Sequence, residues 1–171
     1  MLYRSHVLWA GLVAVAVAYR EPTLQQVPDL VLFASGALVG GLLPDVDHPQ
    51  SKLGRRLPGI SHLISWIFKH RGATHSLAFA LMTGIIAVGY SRPLALGLVL
   101  GHLTHLACDS LTDGGIPILW PWKKRFGWRI IRTGGLAEWL INIAGVVGCW
   151  MLVSGGSFDV ARLAGNLLKN I

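Results

Sequence analysis

The sequence predicts an all-α integral membrane protein: a helical bundle of about five spans with short interfacial helices. Three observations carry that prediction. Hydrophobic residues make up 53% of the 171-residue chain and charged residues 13%, roughly half the charged share of an ordinary soluble domain; mean hydropathy is +0.55. Five apolar segments recur, at about residues 7–19, 30–43, 75–90, 94–108 and 136–153. Most of the cationic residues fall in alternate loops between those segments. The length suits one domain, residues 1–171, and no internal repeat divides it.

The segments are mostly shorter than the ~20 residues that cross a bilayer comfortably, so helical flanks or local thinning of the bilayer must make up the difference. The first one, with Arg4 ahead of it and the small-residue string Ala14-Val15-Ala16-Val17-Ala18 inside it, has the look of a signal peptide. Retention is the expectation, because cleavage would remove His6 and the later segments already require insertion.

Between residues 44 and 74 lie Lys52, Arg55, Arg56, Lys69 and Arg71; between residues 109 and 135 lie Lys123, Lys124, Arg125, Arg129 and Arg132. The alternate loops hold Arg20 and Arg92. The excess of Lys and Arg in cytoplasmic loops therefore predicts a multi-pass membrane protein with both basic loops in the cytoplasm. Ile60, Leu63, Ile64 and Ile67 recur at helical spacing, as in a helix lying on the membrane. Trp120, Trp122 and Trp128 among Lys and Arg resemble an interfacial aromatic belt. Val160, Leu163, Leu167 and Leu168 suggest a further amphipathic helix in the tail. The net charge of +7 thus points to anionic membrane lipids as partners and away from nucleic acid. Cys108 and Cys149 sit in apolar segments with no Cys-x-x-Cys spacing, and no disulfide is expected. The oligomeric state is not legible.

Three clusters carry candidate chemistry. Asp45, Asp47 and His48 follow the second segment within Pro44-Asp45-Val46-Asp47-His48-Pro49, offering hard oxygen and borderline nitrogen ligands; a polar turn ending a helix accounts for them equally well. Arg71 and His75 open the third segment, where Thr74 or Ser76 can cap the helix; Arg71 offers a planar fork for phosphate or carboxylate. His70 beside them reads as part of a basic loop. His102, His105 and Asp109 close the fourth segment and fall within about 60° of one another at 100° per residue. Ionisable groups in an apolar helix are costly, and a metal ion would compensate them. His105 and Asp109, four residues apart, can chelate one ion. His102 lies roughly 10 Å from Asp109 along the axis, so it would serve a second ion or an outer shell. His6 and Glu138 begin the first and fifth segments. Under the predicted topology every one of these residues falls at the same, cytoplasmic, membrane face, whereas the external loops hold no histidine.

Asp45-Val46-Asp47-His48, His70-Arg71-Gly72-Ala73-Thr74-His75-Ser76, Gly101-His102-x-x-His105-x-x-x-Asp109 and Gly134-Gly135-x-x-Glu138 together resemble the YdjM-like family, described as inner-membrane-associated, metal-dependent hydrolases. That family is in turn similar to zinc-dependent phospholipase C, an all-α group with clustered zinc ions. The resemblance implies metal ligands at His6, Asp45 or Asp47, His75, His105, Asp109 and Glu138. It implies a hydrolase of phosphoester bonds in which Asp47 or Asp45 bridges ions or acts as general base and Arg71 holds the developing phosphate charge. With His48 and His102, the nine candidates exceed the four ligands of one tetrahedral zinc, so more than one divalent ion, zinc above all, is expected. A site at headgroup depth suggests a lipid phosphate as substrate. A non-catalytic membrane protein with a structural metal, or a metal-ion transporter, uses the same residues and stays open at this point.

Overall fold

The computed structural model describes residues 1–68, 71–122 and 124–154. Six α-helices organise them: α1 (Tyr3–Arg20), α2 (Val27–Leu42), α3 (Pro58–Phe68), α4 (Leu77–Val88), α5 (Arg92–Ser110) and α6 (Leu136–Ser154). Among the described residues there is no β-strand, only isolated bridges joining Thr112 to Ile131 and Ile116 to Phe126. His70, Lys69, Lys123 and the proposed tail helix at Val160–Leu168 lie outside the described residues.

Local signals set the helix ends. Pro28 lies in the first turn of α2 with Asp29, where a missing N–H costs nothing and a carboxylate favours the helix dipole. Ser76 and Ser91 cap α4 and α5, accepting hydrogen bonds from the backbone N–H of Phe79 (3.3 Å) and Leu94 (3.4 Å). His75 consequently stands outside α4, in a 3-10 turn (Ala73–His75), rather than in the helix's first turn. Pro44 opens another 3-10 turn, Leu43–Asp47, directly after α2.

The all-α expectation is met, but where about five spans were expected two stretches are long and apolar enough to cross a bilayer: Val27–Asp47 and Leu136–Ser154. The other three segments fall short for physical reasons. Helix α4 has only 12 residues, while α1 and α5 carry Arg, His and Asp that lower their hydropathy. Helix α6 turns Trp139, Leu140, Trp150 and Met151 outward, and α4 exposes Ile85 and Ile86. Large apolar side chains facing outward fit a lipid surround better than water.

The centre of the bundle is the α2–α5 pair. Gly36 and Gly40 on α2 face Gly97 and Gly101 on α5 so closely that a Cβ on Gly101 would lie 2.7 Å from the Gly41 nitrogen, and one on Gly40 would lie 2.9 Å from the Leu98 carbonyl carbon. Small residues at four-residue spacing let two membrane helices meet backbone to backbone. Ala14, Leu24, Phe33 and Ala37 pack beside this seam. The seam locks the ends of α2 and α5, and those ends hold Asp45, Asp47, His105 and Asp109.

Candidate metal centre

Four chain segments bring their polar groups to one buried point. His6 comes from the first turns of α1, Asp45 and Asp47 from the turn after α2, His75 from the turn before α4, and His105 and Asp109 from the last turns of α5. His6, Asp47, His75, His105 and Asp109 are all buried. Two overlapping groups result whose ligand atoms lie within 4.8 Å of one another: His6, His105 and Asp109, and Asp45, His75 and His105.

Hydrogen bonding fixes which ring nitrogens face the centre. His105 Nδ1 lies 2.7 Å from the Gly41 carbonyl oxygen. A carbonyl only accepts, so Nδ1 carries the proton and the neutral ring turns the Nε2 lone pair inward. His75 Nδ1 lies 3.2 Å from Asp47 Oδ2, which sets the same tautomer. The two Nε2 atoms then face each other at 3.3 Å, and Asp109 Oδ2 stands 3.6 Å from His75 Nε2 and 3.8 Å from His105 Nε2. Two opposed lone pairs repel unless a proton or a cation lies between them. Ligands 2.0–2.1 Å from a tetrahedral ion sit about 3.3–3.4 Å apart, so the donor set fits a divalent ion with imidazole and carboxylate ligands. His6 stacks on His105 with ring centroids 3.8 Å apart and places Nε2 3.3 Å from Asp109 Oδ1. His6 Nδ1 is buried with no hydrogen-bond partner among the described residues. Asp45 Oδ1 approaches His105 Nε2 to 3.9 Å.

Cations crowd the rest of Asp109. The amino group of Met1 donates to Oδ1 at 2.6 Å, and Arg71 Nη2 lies 3.2 Å from Oδ2. Arg71 holds a left-handed backbone conformation, φ 56°, in which its N–H donates to Asp47 Oδ2 at 2.9 Å while Nη1 reaches the Gly115 carbonyl at 3.4 Å. The Asp45 and Arg71 side chains are 19% and 16% exposed, against 0–4% for the others. The site therefore opens to the outside along the edge these two residues form.

Four of the nine ligand candidates stand apart from the two groups; one of them, Asp47, supports His75 instead, accepting from its Nδ1. Glu138 lies at the same end of the bundle but is engaged elsewhere: Oε1 accepts from Ser5 Oγ at 2.5 Å and the Leu2 N–H at 2.8 Å, and Oε2 accepts from the Gly134 N–H at 2.7 Å. It clamps the start of α1 to the start of α6, and Asn142 and Trp9 extend that polar contact between the two helices. His102 is fully buried one turn deeper, tilted against Phe79 at 5.7 Å between centroids; neither ring nitrogen finds a hydrogen-bond partner among the described residues. His48 follows the Asp45–Asp47 turn and gives its backbone N–H to the Asp45 carbonyl.

Other groups complete the site without having been singled out as site residues. Thr74 donates from Oγ1 to Asp47 Oδ2 and lies 3.1 Å from His75 Nδ1. Its place beside His75 in the motif is the signal that could have found it. The Gly41 carbonyl leaves no mark in sequence, because any residue there has one.

The comparisons with known proteins agree with a membrane setting. A family model described as YdjM inner membrane protein matches residues 1–165. "Inner membrane protein YdjM" of Escherichia coli (strain K12) is 42% identical over 183 aligned positions, covering 100% of this chain and 93% of the relative. "Uncharacterized protein YvsG" of Bacillus subtilis (strain 168) is 36% identical over 137, covering 76% of this chain and 86% of the relative. "Inner membrane protein YbcI" of Escherichia coli (strain K12) is 32% identical over 124, covering 65% and 66%. No solved structure matches the chain.

Proposed function

The chain belongs to the YdjM inner membrane protein family, and from that membership and the buried cluster we propose that it is a multi-pass, metal-dependent phosphoester hydrolase whose site faces the cytoplasm. The observation that carries this reading is the pair of inward-facing Nε2 atoms of His75 and His105, 3.3 Å apart with Asp109 beside them. His6, His75, His105, Asp109 and Asp45 would hold the metal, zinc by the mixture of imidazole and carboxylate donors. Their number suits two ions better than one. A bound ion supplies Lewis acidity, stabilising charge at a phosphoryl oxygen and acidifying a coordinated water.

The chain's own groups have separate tasks. Asp47 accepts from the Arg71 N–H, Thr74 Oγ1 and His75 Nδ1, so it orients His75 as carboxylates orient metal-bound histidines. Asp45, at the more exposed edge that forms the cluster's mouth, would complete the metal-holding set there. Arg71, at the same mouth, holds the developing phosphate charge. The reading takes α1, α2, α4, α5 and α6 as spans, and the charge asymmetry of the loops supports a cytoplasmic position for these groups. At that depth a lipid phosphate is the substrate class within reach.

A second reading keeps the metal and drops the catalysis, and the near-complete burial of the ligands supports it, since structural metal sites are closed and catalytic ones keep an open position. Metal analysis of the purified protein, beside a hydrolysis screen of phosphoesters and phospholipids, separates the two. Wild type carries at least one equivalent of a divalent metal and cleaves an ester, whereas His105→Ala and Asp109→Ala lose both. Metal without cleavage leaves the structural reading, and metal-free protein that folds normally refutes both.

A further inference from the structure

The cationic surface around the mouth has no role in the hydrolase reading and carries an inference of its own. Residues 49–68 and 114–135 contain no Asp or Glu, and Lys52, Arg55, Arg56, Lys124, Arg125, Arg129 and Arg132 within them are all exposed. Large apolar side chains stand among these cations: Trp66 is 82% exposed, Trp122 70% and Trp128 77%. Ile60, Leu63 and Ile67 extend the apolar face along α3.

The two segments form one surface. Phe68 at the end of α3 meets Trp120 edge to face, 6.1 Å between centroids. Each segment is also tied to the metal cluster. Ser61 of α3 is buried against Gly54, which packs on the His48 carbonyl just after the Asp45–Asp47 turn. The other segment returns to the end of α5, where the N–H of Trp128 donates to the Ser110 carbonyl (2.7 Å) and that of Ile131 to the Leu111 carbonyl (3.0 Å), next to Asp109.

We propose that α3 and the described residues of 114–135 together form a docking surface for anionic phospholipid headgroups, set around the mouth of the cluster. Lipid tails would need only apolar side chains. Arginines interleaved with exposed tryptophans, with no acid among them, match the depth at which phosphates lie beneath an aromatic belt. A second copy of the chain would bring the same positive charge and be repelled. The assignment uses neither the metal nor the reaction, so it stands or falls separately from the hydrolase reading.

The test reconstitutes the full chain in nanodiscs of phosphatidylcholine with a rising fraction of brominated phosphatidylglycerol, or of brominated phosphatidylcholine as the zwitterionic arm, and reads quenching of tryptophan fluorescence. One engaged cation favours an anionic headgroup by about fivefold. Wild type is expected to prefer phosphatidylglycerol by at least that factor, with the preference falling as salt rises. R55Q/R56Q and R129Q/R132Q each weaken the preference, their combination removes it, and R55K/R56K/R129K/R132K restores it. Asp109→Asn, which disrupts the cluster alone, leaves it unchanged. Equal quenching by both lipids in wild type, or a preference that survives loss of all four arginines, overturns the proposal.

Discussion

A methyl group placed on α5 at Gly101 tests whether the helix seam governs the metal cluster. In Gly101→Ala the new Cβ would lie 2.7 Å from the Gly41 nitrogen and closer still to the Ala37 carbonyl oxygen. Ordinary contact begins at 3.4 Å, so α2 and α5 must part by at least about 0.7 Å at that level. Gly41 is also the residue whose carbonyl takes the proton of His105 Nδ1, at 2.7 Å. The same displacement stretches that bond to about 3.4 Å, the edge of useful hydrogen-bond geometry. Two losses follow. Overpacking costs about 1–3 kcal/mol of stability, and loosening the partner that orients a ligating imidazole costs about 10–100-fold in metal affinity. Thermal unfolding in detergent and chelator competition measure the two separately. Gly148→Ala, where a Cβ meets nothing within 4 Å, is the matched control and should change neither. Wild-type metal affinity and melting temperature in Gly101→Ala would refute the claim that backbone contact at the seam sets the position of His105.

Three further substitutions separate ligands from supporting groups. Glu138→Gln replaces a carboxylate that accepts three hydrogen bonds by an amide whose NH2 must face a donor; stability should fall by about 1–3 kcal/mol with metal content unchanged, and a tenfold loss of metal would instead make Glu138 a ligand. Thr74→Val keeps the side chain's shape but withdraws the hydroxyl from Asp47; chelator competition should show metal affinity about tenfold weaker with little change in melting temperature. Arg71→Lys keeps the charge and the backbone N–H to Asp47 but loses the planar fork; once a cleaved ester is in hand, KM should rise about tenfold at constant metal content, and an unchanged KM would remove Arg71 from phosphate binding.

The convergence of His6, Asp45, His75, His105 and Asp109 was legible because the loop-charge pattern groups those segment ends on one expected side, and side alone limits which residues can meet. The roles within that face were less legible. Glu138 lies at the expected face, yet its partners are backbone N–H groups of Leu2 and Gly134, which any residue could supply and no motif marks. His102 shares a helix face with His105, but one turn of rise sets it too deep to join the same groups. Thr74 and Ser76 could each cap the third segment's helix; Ser76 does, which leaves His75 outside it on a 3-10 turn. The number of spans is obscured by the site itself: the polar residues that make α1 and α5 chemically interesting also lower the hydropathy by which a span is recognised.

The Glu138 clamp joins residues 136 positions apart, through the Leu2 N–H. Synthesis runs from the N-terminus, so α1 is made before its partner on α6. Until Glu138 arrives, Ser5 and the Leu2 N–H have no carboxylate to receive them, and the end of α1 is tied to α5 by the Met1 and His6 contacts with Asp109 without the clamp. The clamp thereby makes the start of α1 depend on a residue that lies 136 positions after Leu2. The candidate ligands of the two groups all precede α6, so α6 adds no donor to the centre but fixes the end of α1 that carries His6.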